Sequence, residues 1–209
     1  SMAICGEAGS SKCEFVLASR HMTLRCDGDS ADHVAFGGPI LYAHEGQALY
    51  EKPHHPGNVF WHQALEATEL YNTLDGKQQR QALVVTGMPT EHDVGFRGPK
   101  GEFQGLPVSD MSGDQAENLQ RILKLMLEPF RQSDQDEVAK CLHAQGGLEK
   151  CNLAFYKEGD LGEDQIWDNW RLEGPSFVWY FPGKPHVHVW VNVADNADVQ
   201  LNAWQNSIL

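Results

Sequence analysis

The chain has 209 residues, 41% hydrophobic content and a formal net charge of −13. That length suffices for one sizeable core, and so acidic a surface repels phosphate backbones and anionic membranes, which argues against nucleic-acid binding. No stretch approaches the roughly 20 apolar residues of a membrane span, so membrane insertion is not expected.

Ser1-Met2 reads as a cloning remnant, and the opening residues lack the basic and apolar regions of a signal peptide. From Cys13 to Leu41 the residues read as strands: Glu14 to Ala18, His21 to Cys26, a turn at Asp27-Gly28, then His33 to Phe36. Gly37-Gly38-Pro39 is a strong breaker, and a loop rich in His, Pro and Gly follows over 44–57. Residues 58–74 have helical spacing in Val59, Phe60, Ala64, Leu65, Thr68, Tyr71 and Leu74. Asp75, with Gln78 three residues on, predicts the cap of a second helix over 76–85. The Gly- and Pro-rich stretch 86–107 reads as a loop long enough to cover a site. Ser112 and Gln115 form a capping box for a helix to about Phe130, with Leu119, Ile122, Leu123, Met126 and Leu127 as its buried face. Ser133 is expected to cap a further helix to about Ala144. Strands are predicted at 152–156, 169–174, 176–181 and 186–193, with a Pro182-Gly183 turn before the last.

The five cysteines contain no C-x-x-C pair, which argues against a structural zinc knuckle. Cys141 and Cys151 flank a turn-rich stretch. A disulfide closing that loop is expected to contribute about 2–3 kcal/mol, and Cys5–Cys13 could close a similar one. Disulfides would place the protein in an oxidising compartment, periplasmic or secreted, with Cys26 left over.

Two segments align without gaps at an offset of 155 residues: Leu17 with Leu172, Gly28 with Gly183, His33 with His188 and Val34 with Val189. The helix starts at Asp75 and Ser112 also resemble one another. The expected fold is therefore α+β: a single domain over 1–209 whose N-terminal half (about 13–85) and C-terminal half (about 108–195) are divergent repeats. Each half contributes a β-hairpin unit flanked by helices, and the two units are related by a pseudo-twofold axis.

The run from Leu17 to Gly28 resembles the L-E-G-H-H-L-S-L-N hairpin of a bacterial family of unknown function, domain-of-unknown-function family 3500. His21 falls on the motif's second histidine and Arg20 replaces the first. Phe36-Gly-Gly-Pro39 is similar to that family's F-L-G-A-x-P. The segments at Asp75 and Gly105 to Ser112 resemble its L-D-x-x-Q and G-L-P-x-x-x-L-S, and Trp170 to Gly174 resembles its W-R-L-E-G. In the second hairpin Pro175-Ser176 stands in place of the paired histidines. The resemblance implies the architecture and points to His21; it implies no activity.

The sharpest chemical feature is His186-Val-His188, because residues two apart on a strand share a face and two imidazoles there can hold one cation. The intervening Val187, Val189 and Val191 then face the core. With His21 and His33 from the related hairpin, three or four imidazoles could build a copper or zinc site. His44, His54, His55 and His62 form a second cluster able to add a ligand, while His92 and His143 look incidental. Glu173 is the candidate catalytic acid or base. Asp27 and Asp32 read as turn residues, and Arg20 and Arg171 either bind an anionic group or pair with surface acids. Trp167, Trp170, Trp179 and Trp190 read as core or pocket wall. No P-loop lysine follows Gly37-Gly38 and no G-x-S-x-G elbow is present.

These residues point first to an exported metal-binding protein, with copper or zinc on His21, His33, His186 and His188 and oxidoreductase chemistry as its use. The alternatives are a non-catalytic binding module for a small ligand or partner, and a metal-free hydrolase using Glu173 and His188.

Overall fold

A computed structural model of the chain describes residues 1–19, 22–26, 34–44, 61–90, 93–160, 165–183 and 187–199; for residues 34–44, Arg25 and Trp61 the backbone alone is described. Among the described residues ten strands join in one sheet: β1 (Met2–Cys5), β2 (Glu14–Ser19), β3 (Met22–Cys26), β4 (Val34–His44), β5 (Leu83–Val84), β6 (Leu106–Pro107), β7 (Asn152–Tyr156), β8 (Asn169–Gly174), β9 (Phe177–Pro182) and β10 (Val187–Ala194). Their order is β1-β2-β3-β4-β10-β9-β8-β7-β5, with β6 also on β7. Every pairing is antiparallel except β5 with β7. The helices are α1 (Trp61–Thr73), α2 (Gly76–Ala82), α3 (Gly113–Leu127) and α4 (Gln132–Ala144). The fold is α+β, as expected. β4 pairs with β10 and so joins the strands of the two hairpin units into one sheet.

Strands β8 and β9 are buried at every position, so both faces of the sheet centre must be covered. The helices cover one face. There Leu153, Phe155, Trp170, Leu172, Phe177, Trp179, Phe181, Val189, Val191 and Val193 meet the apolar stripes of α1, α3 and α4. The stripe of α3 comprises Leu119, Ile122, Leu123, Met126 and Leu127, as its spacing predicts. On α1 the buried positions are Gln63, Ala64, Ala67, Thr68 and Leu70, and Leu74 is buried just past its end, with Leu65 and Tyr71 half-buried. The expected face is thus kept at Ala64, Thr68 and Leu74 and extended by Ala67 and Leu70, while Val59 and Phe60 lie outside the described residues. The opposite face of the sheet carries Ala154, Tyr156, Val178, Tyr180 and Trp190, packed against Met88, Val94 and Phe96 of the long loop 85–105.

Gly37-Gly38-Pro39 do not break β4. Val191 pairs with Ile40 and Val193 with Phe36, so these three residues lie opposite Asn192 alone. A bulge absorbs them, which is where a sheet tolerates proline and glycine. A second shift follows, so that Val34 pairs with Ala194. β4 thus enters the sheet at the end of β10 away from His188, which pairs with Ala43.

Both expected capping boxes form, at Asp75/Gln78 and Ser112/Gln115. They also interlock. Each glutamine Oε1 accepts its own cap's N–H at 2.9 Å, and each Nε2 donates to the other's Oε1 at 3.0 Å. Each Nε2 donates further to the carbonyl two residues before the other cap, Asp110 or Thr73, at 2.9 Å. The reciprocal pair ties α2 to α3. α4 starts one residue earlier than its expected cap: Arg131 is the N-cap, without a side-chain cap bond, and its guanidinium pairs with Asp134.

None of the five cysteines is in a disulfide, so the expected Cys141–Cys151 and Cys5–Cys13 bridges are not formed. The sulfur of Cys151 is enclosed by the Gln145 amide, 3.3 Å away, and by Gly174, where a Cβ would fall 2.7 Å from Sγ. Burial, opposed by the Gln145 hydrogen bond and reinforced by the charge of Glu173, pushes this thiol up to about 12. It is therefore inert near neutral pH.

The glutamine pair predicts a measurable coupling. Gln78→Ala and Gln115→Ala should each cost about 1–2 kcal/mol in urea unfolding. The double variant should lose about 1 kcal/mol less than the sum, because the shared bonds are lost once. Strict additivity would show that the two caps act independently.

Candidate functional site

Strand alternation and register build the loop-side face in rows. Ala154, Arg171, Tyr180 and Trp190 pair in sequence across β7, β8, β9 and β10. The next row is Asn152, Glu173, Val178 and Asn192. Continuing the register the other way gives Tyr156, Asn169, Pro182 and His188. Rows on one face lie about 7 Å apart and neighbouring strands about 4.8 Å. His188 therefore shares the face of Trp190, while Val187, Val189 and Val191 turn to the helix-side core as predicted.

Arg171 and Glu173 are the charged pair at the centre of this face, 1% and 4% exposed. Arg171 Nη2 lies 2.7 Å from Glu173 Oε1. Arg97, from the loop, brings its Nε to the same oxygen at 3.0 Å while its side chain stays 40% exposed. The Arg171 guanidinium also lies 5.4 Å from the Tyr180 ring centroid, a cation–π distance. Its Nε and Nη1 are buried and have no hydrogen-bond partner among the described residues.

The loop is fastened over these charges by side chains of the sheet. Tyr180 Oη donates to the Pro89 carbonyl at 2.8 Å, and Asn192 Nδ2 donates to the Val94 carbonyl at 2.8 Å. Tyr156 Oη donates to Gln104 Oε1 at 3.1 Å. Glu158 Oε2 accepts from the Gly87 and Met88 N–H groups. Gly105, at φ 91°, ends the loop with its Cα hard against the Leu153–Ala154 backbone, where no side chain would fit. The Thr90 hydroxyl foremost, then the Thr90 N–H and the charges of Arg171 and Arg97, hold the Asp93 carboxyl below its ordinary range against the opposing effect of burial. Burial pushes the Tyr156 hydroxyl up, so it is a neutral donor.

Of the expected metal ligands, His188 is half-buried on the loop-side face, and His21, His33 and His186 lie outside the described residues. So do Arg20, Asp27, Asp32, His54, His55 and His92. The backbone of His44 ends β4, and His62 and His143 are exposed on α1 and α4. No group of three or more His, Cys, Asp or Glu able to hold a metal occurs among the described residues. Glu173 stands at the centre of the face, bound to two guanidinium groups. Arg171, expected to bind an anionic group or pair with a surface acid, pairs with a buried acid, Glu173. Sequence reading missed Arg97, Asp93, Tyr156 and Tyr180. The available signal was two opposite charges two residues apart inside a short buried strand, with a lone arginine in the Gly-rich loop earlier in the chain.

Breaking this pair should be expensive and replacing it cheap. Glu173→Ala leaves Arg171 buried and uncompensated, and is expected to cost about 3–5 kcal/mol of unfolding free energy. The double substitution Arg171→Met with Glu173→Leu should lie within about 1 kcal/mol of wild type. Chemical denaturation of the three proteins checks this, and a severe loss in the double variant would mean that the pair holds the fold rather than serving a site.

No curated protein and no solved structure matches the chain. A family model described as a protein of unknown function, DUF3500, matches residues 2–195. Since that match spans nearly the whole sequence, the chain belongs to the DUF3500 family.

Proposed function

We propose that this protein is a binding module for a small anionic molecule, carboxylate or phosphate in character, taken up on the loop-side face of the sheet. One observation carries the reading: Arg171, 1% exposed, keeps Nε and Nη1 without acceptors among the described residues. An unmade hydrogen bond to a buried group costs about 1–3 kcal/mol, more when the group is charged, and buried polar atoms are nearly always paired. A ligand oxygen supplies the missing acceptor. The Tyr180 ring against the guanidinium and Trp190 beside it in the row give apolar walls. Arg97, half in solvent at the loop's edge, is the cation an incoming anion meets first. Glu173 gives the same oxygen to both arginines. That suits a residue that orients Arg171 better than one presented to substrate, and favours binding over hydrolysis.

Duplication belongs to this reading. The 155-residue offset carries Glu14–Ser19 onto Asn169–Gly174 and Met22 onto Phe177, the first residues of β2, β8, β3 and β9. The strand order β2-β3-β4-β10-β9-β8 reads alike from both sides of its centre. At that offset Val16 and Ala18 correspond to Arg171 and Glu173, so the anion site belongs to the C-terminal half alone.

A second reading has one observation in its favour, the half-buried His188 on the same face as Trp190. In it the protein is exported and holds copper or zinc through His188 with His21, His33 and His186, and copper would bring redox chemistry.

A titration separates the two. Adding phosphate, acetate or benzoate at constant ionic strength should raise the unfolding temperature saturably for at least one of them, and Arg171→Met should abolish the rise. No saturable rise with any of the three anions would reject the anion reading. Stoichiometric uptake of Cu(II) or Zn(II) that is lost in the His186→Ala, His188→Ala double variant, with Arg171→Met still binding metal, would establish the second reading instead.

A further inference from the structure

Arg171 is 1% exposed, so an anion reaches its open N–H groups only after part of the cover moves. The sheet closes the helix side, and β7 and β9 flank the arginine within it. Loop 85–105 is the element left to yield. Among its described residues Val94 alone is fully buried, and a segment with so little buried apolar contact opens at low cost.

The ties of this loop among the described residues fall into two groups. Its ends are held on β7 and on Glu158 just beyond it. Glu158 Oε2 accepts the N–H groups of Gly87 and Met88 at 3.0 and 3.2 Å. Tyr156 Oη reaches Gln104, Asn152 Nδ2 donates to the Phe103 carbonyl at 3.3 Å, and Gly105 lies against the Leu153–Ala154 backbone. Gln104 Nε2 donates to the Gly87 carbonyl at 3.3 Å, which joins the two ends into a neck. Residues 89–90 and 93–98 reach β8, β9 and β10 instead. Pro89 is held by Tyr180, Val94 by Asn192 and Arg97 by Glu173. The Gly98 N–H donates at 3.0 Å to the carbonyl of Pro175, in the turn between β8 and β9.

Beyond the neck the loop is braced against itself. The Thr90 N–H and hydroxyl both donate to Asp93 Oδ2 at 2.9 Å. Arg97 Nη1 donates to the Glu102 carbonyl at 3.0 Å, and the Gly101 N–H to the Gly98 carbonyl at 3.0 Å. Gly87, at φ 85°, and Gly105, at φ 91°, bound the neck, and glycine is the residue best able to absorb the dihedral change of a hinge.

We propose that segments 87–90 and 93–104 form a lid that lifts as one body about a neck on β7, comes off β8–β10 and admits the anion to Arg171. The purpose of the opening rests on the anion reading; the opening itself does not. Tyr180, Asn192 and Glu173 are latches, whose bonds to the lid break when it lifts. Tyr156, Asn152 and Glu158 hold the hinge, and their bonds persist. An anion on Arg171 lies between lid and sheet, so it binds the closed state better and keeps the latches shut.

Hydrogen exchange of the full chain, followed by NMR, tests this. The Gly98 amide is the reporter, because its bond crosses from lid to sheet. Without any anion it should exchange faster than the amides of β8, which have a strand on each side. Tyr180→Phe keeps the ring and removes a latch. It should accelerate Gly98 about three- to tenfold, the worth of one net hydrogen bond, and leave β8 as it was. Tyr156→Phe removes an equivalent hydroxyl at the neck and should leave the Gly98 rate unchanged. Equal acceleration by the two variants would mean that the loop melts, and would overturn the one-body lid. A Gly98 amide as slow as those of β8 would overturn any separate opening. Whichever of phosphate, acetate or benzoate raises the unfolding temperature should slow Gly98 in step with its saturation; a stabilising anion that leaves Gly98 unchanged would overturn entry beneath the lid. If none of the three stabilises the protein, the anion reading falls, while the comparison of Tyr180→Phe with Tyr156→Phe still decides the lid.

Discussion

A charge pair in the middle of a sheet needs two things at once: partners for the charges and a cover against water. Arg171 and Glu173 lie on β8, with strands on both sides, so neither side chain can escape sideways to solvent. Their mutual contact at 2.7 Å meets only part of the demand of desolvated ions. Loop 85–105 supplies a further part, on the Glu173 side and as a cover. It brings Arg97 to Glu173, sets Asp93 within the field of both arginines, and seals the face with Val94 and Phe96. The loop in turn is held by Tyr156, Tyr180 and Asn192, whose polar ends reach its backbone or Gln104. The buried ions and three side chains of the sheet hold the described residues of this loop against the face.

The helix side answers a simpler problem. β7 to β10 present large apolar residues there, and three helices with apolar stripes cover them. The reciprocal bonds between Gln78 and Gln115 set how α2 and α3 start relative to each other. A covering layer placed by caps is rigid, while one placed by a loop with polar ties opens at lower cost, because local stability follows buried apolar contact. The two faces therefore divide the work of the domain: the helix side carries stability, and the loop side carries the unsatisfied chemistry.

Local signals made much of the fold legible. Asn152–Tyr156 and Asn169–Gly174 are strands over the residues that their patterns predict, and both capping boxes form as spelled. What failed depended on partners far away in sequence. Gly37-Gly38-Pro39 reads as a break because nothing nearby shows that Asn192 will face it across a bulge. β1 escaped notice because four residues carry too little pattern, and only β2 gives it a place. The spacing of Cys141 and Cys151 suggested a bridge, but the sulfur of Cys151 is fixed by Gln145 and Gly174. The site was half legible. Arg171 and Glu173 each drew attention alone. Their union, and the arrival of Arg97 from 74 residues earlier, are tertiary facts that no local period encodes. The histidine argument turned on His21, His33, His186 and His188, of which His188 alone is among the described residues.

The acidity of the chain bears on the proposed anion site in a way that the local arginines do not. At long range a net charge of −13 repels an approaching anion. That repulsion is screened beyond about 8–10 Å at physiological salt. At contact the balance reverses, because Arg171 is buried, where screening is weak and a guanidinium–oxygen bond is strong. Affinity would then come from contact and not from steering, so association is slow relative to a cationic binding protein and improves as salt rises. The same field disfavours a multiply charged ligand more than a singly charged one, since each added charge pays the long-range repulsion while one buried guanidinium has a single set of open N–H groups to offer. A singly charged molecule with an apolar body to lie against Tyr180 and Trp190 is the ligand on which these opposing constraints agree.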